Sequence, residues 1–131
     1  MSQETVTFVD QFFQALDEHD EIRLLDLVHP NLEFTSLIQE VEGSFRGHEG
    51  LRSYLAGLFA AFPDWRVRVE SVRAATNTAV VKVRVRATSV AGGVPTDLTD
   101  WQALTLCDGK ALWWAFFRTE TEALTAVGLE E

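Results

Sequence analysis

Two polar residues in an aromatic segment are the chemistry-bearing feature of this 131-residue chain. Asp100 and Gln102 lie two apart within VPTDLTDWQALTLCDGKALWWAFF, residues 94–117. On a β-strand, that spacing puts a carboxyl and an amide on one face. A carboxyl among aromatic rings loses hydration, so its pKa rises and it can exchange protons near neutrality. The amide can orient or polarise a carbonyl but cannot act as a base. The pair therefore suits proton transfer on an apolar, carbonyl-containing molecule, with Asp100 as acid or base and Gln102 as the orienting group.

The neighbours of the pair follow from the turn. Asp108-Gly109 signals a two-residue hairpin, because both central positions of that turn need φ > 0. Asp100, Gln102, Leu104 and Leu106 then share one face, and Trp101, Ala103, Thr105 and Cys107 the other. An uninterrupted hairpin sets Trp113, Ala115 and Phe117 beside Gln102 and Leu104, so Trp113 and Phe117 are expected to contact a ligand. Phe13, Tyr54 and Trp65 complete the expected pocket lining. If the face is concave, Asp100 and Gln102 are the polar end of a pocket. If it is convex, they lie at a wet subunit interface.

Other candidates have plainer explanations. His29, before Pro30, suits a helix end, His48 is expected to be exposed ahead of a helix, and Asp64 suits a turn cap. Cys107 is the single cysteine; it forms no internal disulfide and reads as structural beside its turn. No Cys/His cluster along the chain suggests a metal, no Ser/His/Asp or Cys/His relay follows from spacing, and no glycine-rich phosphate loop is present. Neither a metal nor a redox cofactor is expected.

Composition bounds the rest. With 47% hydrophobic and 24% charged residues, residues 1–131 are expected to form one folded domain. No apolar run reaches the roughly 20 residues of a membrane span. No signal-peptide pattern opens the chain, so a cytoplasmic location is expected. A net charge of −9 argues against nucleic acid as a partner. Charge is also segregated: basic against acidic residues number 2 and 11 over 1–50, 7 and 2 over 51–90, and 2 and 7 over 91–131. The basic residues Arg66, Arg68, Lys82, Arg84 and Arg86 are spaced by two, as on strand faces that attract acidic segments of the same chain or of a second subunit.

The elements that must position these groups follow from periodicity. Phe8, Val9, Phe12, Phe13 and Leu16 predict a helix from about 4 to 18, and Asp20 can cap a second short helix that ends before Pro30. NLEFTS, residues 31–36, predicts a first strand. Gly43, Gly47 and Gly50 predict a loop, and Leu51, Tyr54, Leu55, Leu58, Phe59 and Phe62 a third helix stopped by Pro63. From Trp65 the period is two: WRVRVESVR and AVVKVRVRATS predict strands joined over residues 74–78, and the hairpin at 108–109 follows. Thr119 and Glu122 form a capping-box pattern for a short last helix. The sum is an α+β domain of order α-α-β-α-β-β-β-β with a short C-terminal helix, in which a curved antiparallel sheet wraps around three helices and leaves room for an apolar cavity.

GHEGLRSYLAGLFAAFPDWRVRVE (47–70), AGGVPTDLTDWQALTLCDGKALWW (91–114) and EALTAVGL (122–129) resemble the SnoaL-like branch of the cone-shaped α+β superfamily. That superfamily includes ketosteroid isomerase, nuclear transport factor two and limonene epoxide hydrolase. It holds isomerases, cyclases, hydrolases and dehydratases as well as non-catalytic binding and dimerising domains, so the resemblance implies a fold more than an activity. Ketosteroid isomerases use a Tyr on the first helix, where this chain has Phe12, and an Asp base near the first strand, where it has Thr35 or Ser36. Their second oxyanion donor, an Asp, matches Gln102. SnoaL-type cyclases commonly place an Asp where this chain has Thr119. The resemblance thus implies a cofactor-independent isomerase, cyclase or hydrolase of unassigned substrate, or a ligand-binding or dimerisation domain of the same fold. Because aromatic or aliphatic side chains occupy both faces of the last two strands, a homodimer is expected.

Overall fold

The computed structural model describes residues 3–35 and 44–129. Helix α1 (Gln3–Asp17) buries the stripe Phe8, Val9, Phe12, Phe13 and Leu16. Its end turns at His19, which takes a positive φ of 56°. Asp20 then caps helix α2 (Glu21–Leu27), its carboxylate accepting the Arg23 N–H at 3.1 Å. Strand β1 (Val28–Thr35) begins three residues before the expected NLEFTS. Pro30 lies inside β1, and the register against the neighbouring strand slips between Val28 and Glu33, where a residue without N–H cannot serve the ladder.

The segment expected as a glycine loop is shorter than expected. Strand β2 (Ser44–Arg46) and helix α3 (Gly47–Ala61) occupy residues 44–50, while Gly43 lies outside the described residues. Gly47 starts α3 with φ +67°, and a Cβ there would meet the Pro30 carbonyl oxygen at 3.0 Å. The glycine therefore serves a close backbone approach rather than a loop.

Strands β3 (Arg66–Ala75), β4 (Thr78–Thr88), β5 (Pro95–Cys107) and β6 (Lys110–Phe117) follow, then helix α4 (Glu120–Ala126). The Glu122 N–H donates to Thr119 Oγ1 at 3.2 Å, as the capping-box pattern predicts. The result is an α+β fold with one open six-stranded sheet of order β2-β1-β6-β5-β4-β3. Its pairs are antiparallel except β1 with β6, which the sequence did not announce. Register slips in β1, β3 and β6 bend the sheet. Helices α1, α2 and α3 pack in the concavity on a core that includes Val81, Val83, Leu104 and Trp114. Helix α4 instead packs Ala123 and Leu124 on the opposite face, against Val80 and Ala103.

Three residues of the basic stripe, Arg66, Arg84 and Arg86, find acidic partners within the chain. Arg66 lies across from Arg86 and Arg68 from Arg84, which brings like charges together. Asp97 accepts a bidentate bond from Arg84 at 2.9 and 2.8 Å, and Arg86 approaches it at 3.5 Å. Asp17 does the same for Arg66 at 2.8 and 2.9 Å and also accepts the Val67 N–H at 3.0 Å, tying the end of α1 to the edge strand β3. The Arg66 hydrogen bond, against the opposing effect of partial burial and with help from Val67, holds the Asp17 carboxyl below its usual range. A depressed carboxyl pKa contributes stability above the unfolded value that is lost as pH falls through the folded one. Asp17→Asn should therefore lose about 1 kcal/mol of stability at neutral pH, since Arg66 is exposed and screened. Urea unfolding should show the gap between variant and wild type closing in strong acid.

Candidate functional site

Between α3 and the concave faces of β4, β5 and β6 lies a cavity of about 450 Å³. Tyr54, Leu58 and Phe62 line it from the helical side, with Trp65 just beyond. Val85, Leu98, Asp100, Gln102 and Phe116 line it from the sheet. Leu98, Asp100 and Gln102 share a face because they alternate along β5, opposite Val85, Val83 and Val81 of β4. Phe45 of β2 closes one side.

Asp100 is 6% exposed and Gln102 2%. They belong to one hydrogen-bonded chain. Trp114 Nε1–H donates to Gln102 Oε1 at 2.8 Å, and Gln102 Nε2–H donates to Asp100 Oδ1 at 3.2 Å. An indole N–H can only donate, so it fixes which end of the Gln102 amide faces Asp100. Burial pushes the Asp100 carboxyl up to about 6, with the Gln102 bond pulling part of the way back. No cation pairs with Asp100 among the described residues; Lys82 lies over the Trp101 ring, 5.6 Å from its centroid. Asp100 is also the one carboxyl among the described lining residues. A carboxyl poised near neutrality in an apolar cavity can take and return a proton.

The structure separates the residues expected from sequence. Asp100, Gln102, Tyr54 and Trp65 meet at the cavity, and Phe13, Trp113 and Phe117 do not. The turn forms as expected, with positive φ at Asp108 and Gly109 and with Cys107 opposite Lys110. Leu112 is then an extra residue: Leu106 pairs with Ala111 but Thr105 pairs with Trp113. That bulge moves every later residue of β6 by one and exchanges its faces. Trp114 and Phe116 come beside Leu104 and Gln102, and Trp113 and Phe117 pass to the opposite face, against α4. Phe13 is buried in the core, edge-to-face on Phe12 with centroids 5.3 Å apart, because that stripe of α1 packs mainly on β3. Leu98 was findable as the residue two before Asp100. Phe116 and Trp114 were hidden by the bulge.

The remaining candidates do structural work. His48 Nε2–H donates to the Val28 carbonyl at 2.7 Å and is half-buried rather than exposed. His29 stands in β1 rather than at a helix end, its Nδ1 accepting the Asn31 N–H at 3.0 Å. Asp64 accepts the Thr88 N–H at 2.8 Å. His19, not singled out from sequence, stacks on Phe59 at 3.9 Å and donates to the Trp65 carbonyl at 2.6 Å, which fixes that wall of the cavity.

The SnoaL-like domain family matches residues 9–119. The chain belongs to that family. No curated protein sequence matches it. Among solved structures, an NTF2-like protein of unknown function from Burkholderia pseudomallei K96243 is similar at 17% identity and TM-score 0.80, over 95% of this chain and 97% of that one. A candidate SnoaL-like polyketide cyclase from Jannaschia sp. CCS1 is similar at 21% identity and TM-score 0.79, over 100% and 98%. TerC, co-crystallized with polyporic acid, is similar at 18% identity and TM-score 0.79, over 92% and 95%. At these identities the likeness is one of fold.

Within this SnoaL-like domain the departures from the relatives' chemistry are concrete. Phe12 is fully buried core, edge-to-face on Trp114 at 5.1 Å, and offers no hydroxyl. Thr35 is the last residue of β1, and Ser36 lies outside the described residues. Thr119 is a helix cap. Asp100 and Gln102 are thus the polar centre of the cavity. A raised carboxyl pKa means the folded state holds the proton more tightly, so stability falls as pH rises from the unfolded value near 3.8 to about 6. Asp100→Asn should remove that slope and be more stable than wild type at pH 7 by on the order of 2 kcal/mol. Urea unfolding across this pH range compares the two.

Proposed function

We propose that this SnoaL-like protein is a cofactor-independent enzyme of the isomerase, cyclase or hydrolase type, acting on a small apolar, carbonyl-containing molecule. The observation that carries the reading is Asp100, a buried carboxyl facing a mainly apolar cavity with its pKa near neutrality. The cavity volume lies within the usual range for small-molecule sites, roughly 300–1,000 Å³. In the proposed cycle the Asp100 carboxylate takes a proton from the carbon beside the carbonyl. The electron pair moves onto the carbonyl oxygen, and Asp100 returns the proton to carbon or oxygen as the bond order shifts. Trp114 holds Gln102, and Gln102 holds Asp100, so the base stays aimed without a charged partner. TerC, alike in fold, is co-crystallized with a small molecule, polyporic acid, which supports small-molecule binding as an analogy of fold and no finer ligand class.

A flat ketone such as 2-tetralone serves as a probe. The wild type should accelerate deuterium exchange at the carbon beside its carbonyl, read by NMR, with a rate that rises through about pH 6. Asp100→Asn should slow that exchange by roughly 10²-fold or more. Trp114→Phe should keep binding and weaken exchange, because Gln102 loses its anchor. Binding of the probe without any acceleration would instead establish a non-catalytic ligand-binding protein.

We further propose a homodimer through the convex face. Trp101, Trp113 and Phe117 remain only partly buried there beside α4, an apolar surface that a second copy would cover. Sedimentation at micromolar concentration should give twice the chain mass, and Trp101→Glu should give the single-chain mass.

A further inference from the structure

We propose that His29, Cys107 and Asp108 form a binding site for a divalent transition-metal ion, Zn²⁺ foremost. The three residues are far apart in sequence and share no ligand spacing. The parallel pairing of β1 with β6, with Val28 beside Ala111, carries His29 to the tip of the β5–β6 hairpin. There one ligand atom from each residue lies within 4.8 Å of the other two. Cys107 Sγ and Asp108 Oδ2 are 3.8 Å apart. Tetrahedral zinc with a sulfur at about 2.3 Å and an oxygen at about 2.1 Å sets those atoms about 3.6 Å apart, so the pair is a few tenths of an ångström from coordination.

The donor chemistry fits that ion. Imidazole, thiolate and carboxylate are the three zinc ligand types, and three protein ligands leave a fourth position for water. The thiolate excludes Mg²⁺ and Ca²⁺, which take oxygen ligands. Thiolate and carboxylate together neutralise the ion. Binding releases the Cys107 thiol proton to solvent. It also costs the Asn31 N–H its bond to His29 Nδ1, whichever ring nitrogen ligates, but Asn31 is exposed and its N–H turns to water. The nearest cation along the hairpin, Lys110, is engaged by its ammonium on the Asp26 carbonyl at 2.5 Å. All three ligands sit on defined backbone: a strand for His29, a strand end for Cys107, and for Asp108 the positive-φ position of the turn.

The site is separate from the cavity. Five residues of β5 lie between Gln102 and Asp108, which sets the two roughly 20 Å apart along extended chain. A metal there would clip the start of β1 to the hairpin, stabilising the fold by mass action rather than entering the cavity's chemistry.

Titration of the reduced full chain with ZnCl₂ in a calorimeter should show one ion per chain. Co²⁺ in its place should give a thiolate-to-metal charge-transfer band in the near ultraviolet. Cys107→Ser should abolish the band, and Cys107→Ser, His29→Ala and Asp108→Asn should each weaken binding roughly tenfold or more. Asn tolerates the positive φ of the turn, so Asp108→Asn keeps the hairpin. Zn²⁺ should raise the Tm of the wild type and not that of Cys107→Ser. Equal affinity in wild type and Cys107→Ser, a Co²⁺ complex without the thiolate band, or one ion per two chains would each overturn the site.

Discussion

One extra residue in β6 sets the character of this fold. If β5 and β6 paired without interruption from the Asp108-Gly109 turn, Trp113 and Phe117 would point into the concavity and Trp114 would point out. The bulge at Leu112 reverses all of them. Trp114 then enters the core, where it meets Phe12, Phe34, Phe116 and Tyr54. Only from there can its indole N–H reach Gln102. The aromatic pair that leaves the concavity becomes the platform for α4. The bulge also adds to the bend that lifts the sheet away from α3 and leaves a cavity between them.

What was legible in the sequence divides along the same line. Elements with a clean period were readable: α1 from its Phe and Leu stripe, β3 and β4 from alternating Val and Arg, and the α4 cap from Thr119 and Glu122. So was the shared face of Asp100 and Gln102, because alternation within one strand is local. The lining residues Trp113 and Phe117 failed because their placement depends on pairing between strands, where one unpaired residue inverts every later side chain. Phe13 failed for a different reason. Its position on the apolar stripe of α1 is local, but whether that stripe meets a cavity or another element is decided by how α1 packs on β3. The gathering of His29, Cys107 and Asp108 was equally out of reach, since it rests on a parallel pairing that no turn signal announces.

Burying Asp100 is the costly feature of the site, and the structure moderates the cost without cancelling it. The Gln102 amide gives one carboxyl oxygen a donor, and the Trp114 indole keeps the amide from turning its oxygen toward the carboxylate. A guanidinium in the same place would have satisfied the charge and driven the pKa down, as Arg66 does for Asp17. A neutral donor leaves desolvation dominant, and the carboxyl stays near neutrality. The cations nearest in the sheet are engaged elsewhere: Arg66 with Asp17, Arg84 and Arg86 with Asp97, and Lys82 over the Trp101 ring. The segregated charge of the sequence therefore has a consequence for the cavity. Arg66, Arg84 and Arg86 are satisfied by acids from their own surroundings, and no cation pairs with Asp100 among the described residues.

That arrangement bears on which ligands the cavity can hold. With no cation in the described lining, an anionic ligand gains no ion pair and must approach a carboxyl that is mostly ionised at pH 7. Either it is repelled, or Asp100 takes up a proton and ceases to be a base. A neutral carbonyl compound faces neither difficulty. On the proposed reading, its apolar body would fill space among Leu58, Phe62, Trp65, Leu98 and Phe116, with its carbonyl at the polar end beside Asp100 and Gln102. Since the polar contacts there are few, discrimination among neutral ligands must come chiefly from shape, and a single methylene in such a wall is worth only about 1–3 kcal/mol. On that reading the cavity selects a chemical class through its charge and chooses within that class weakly.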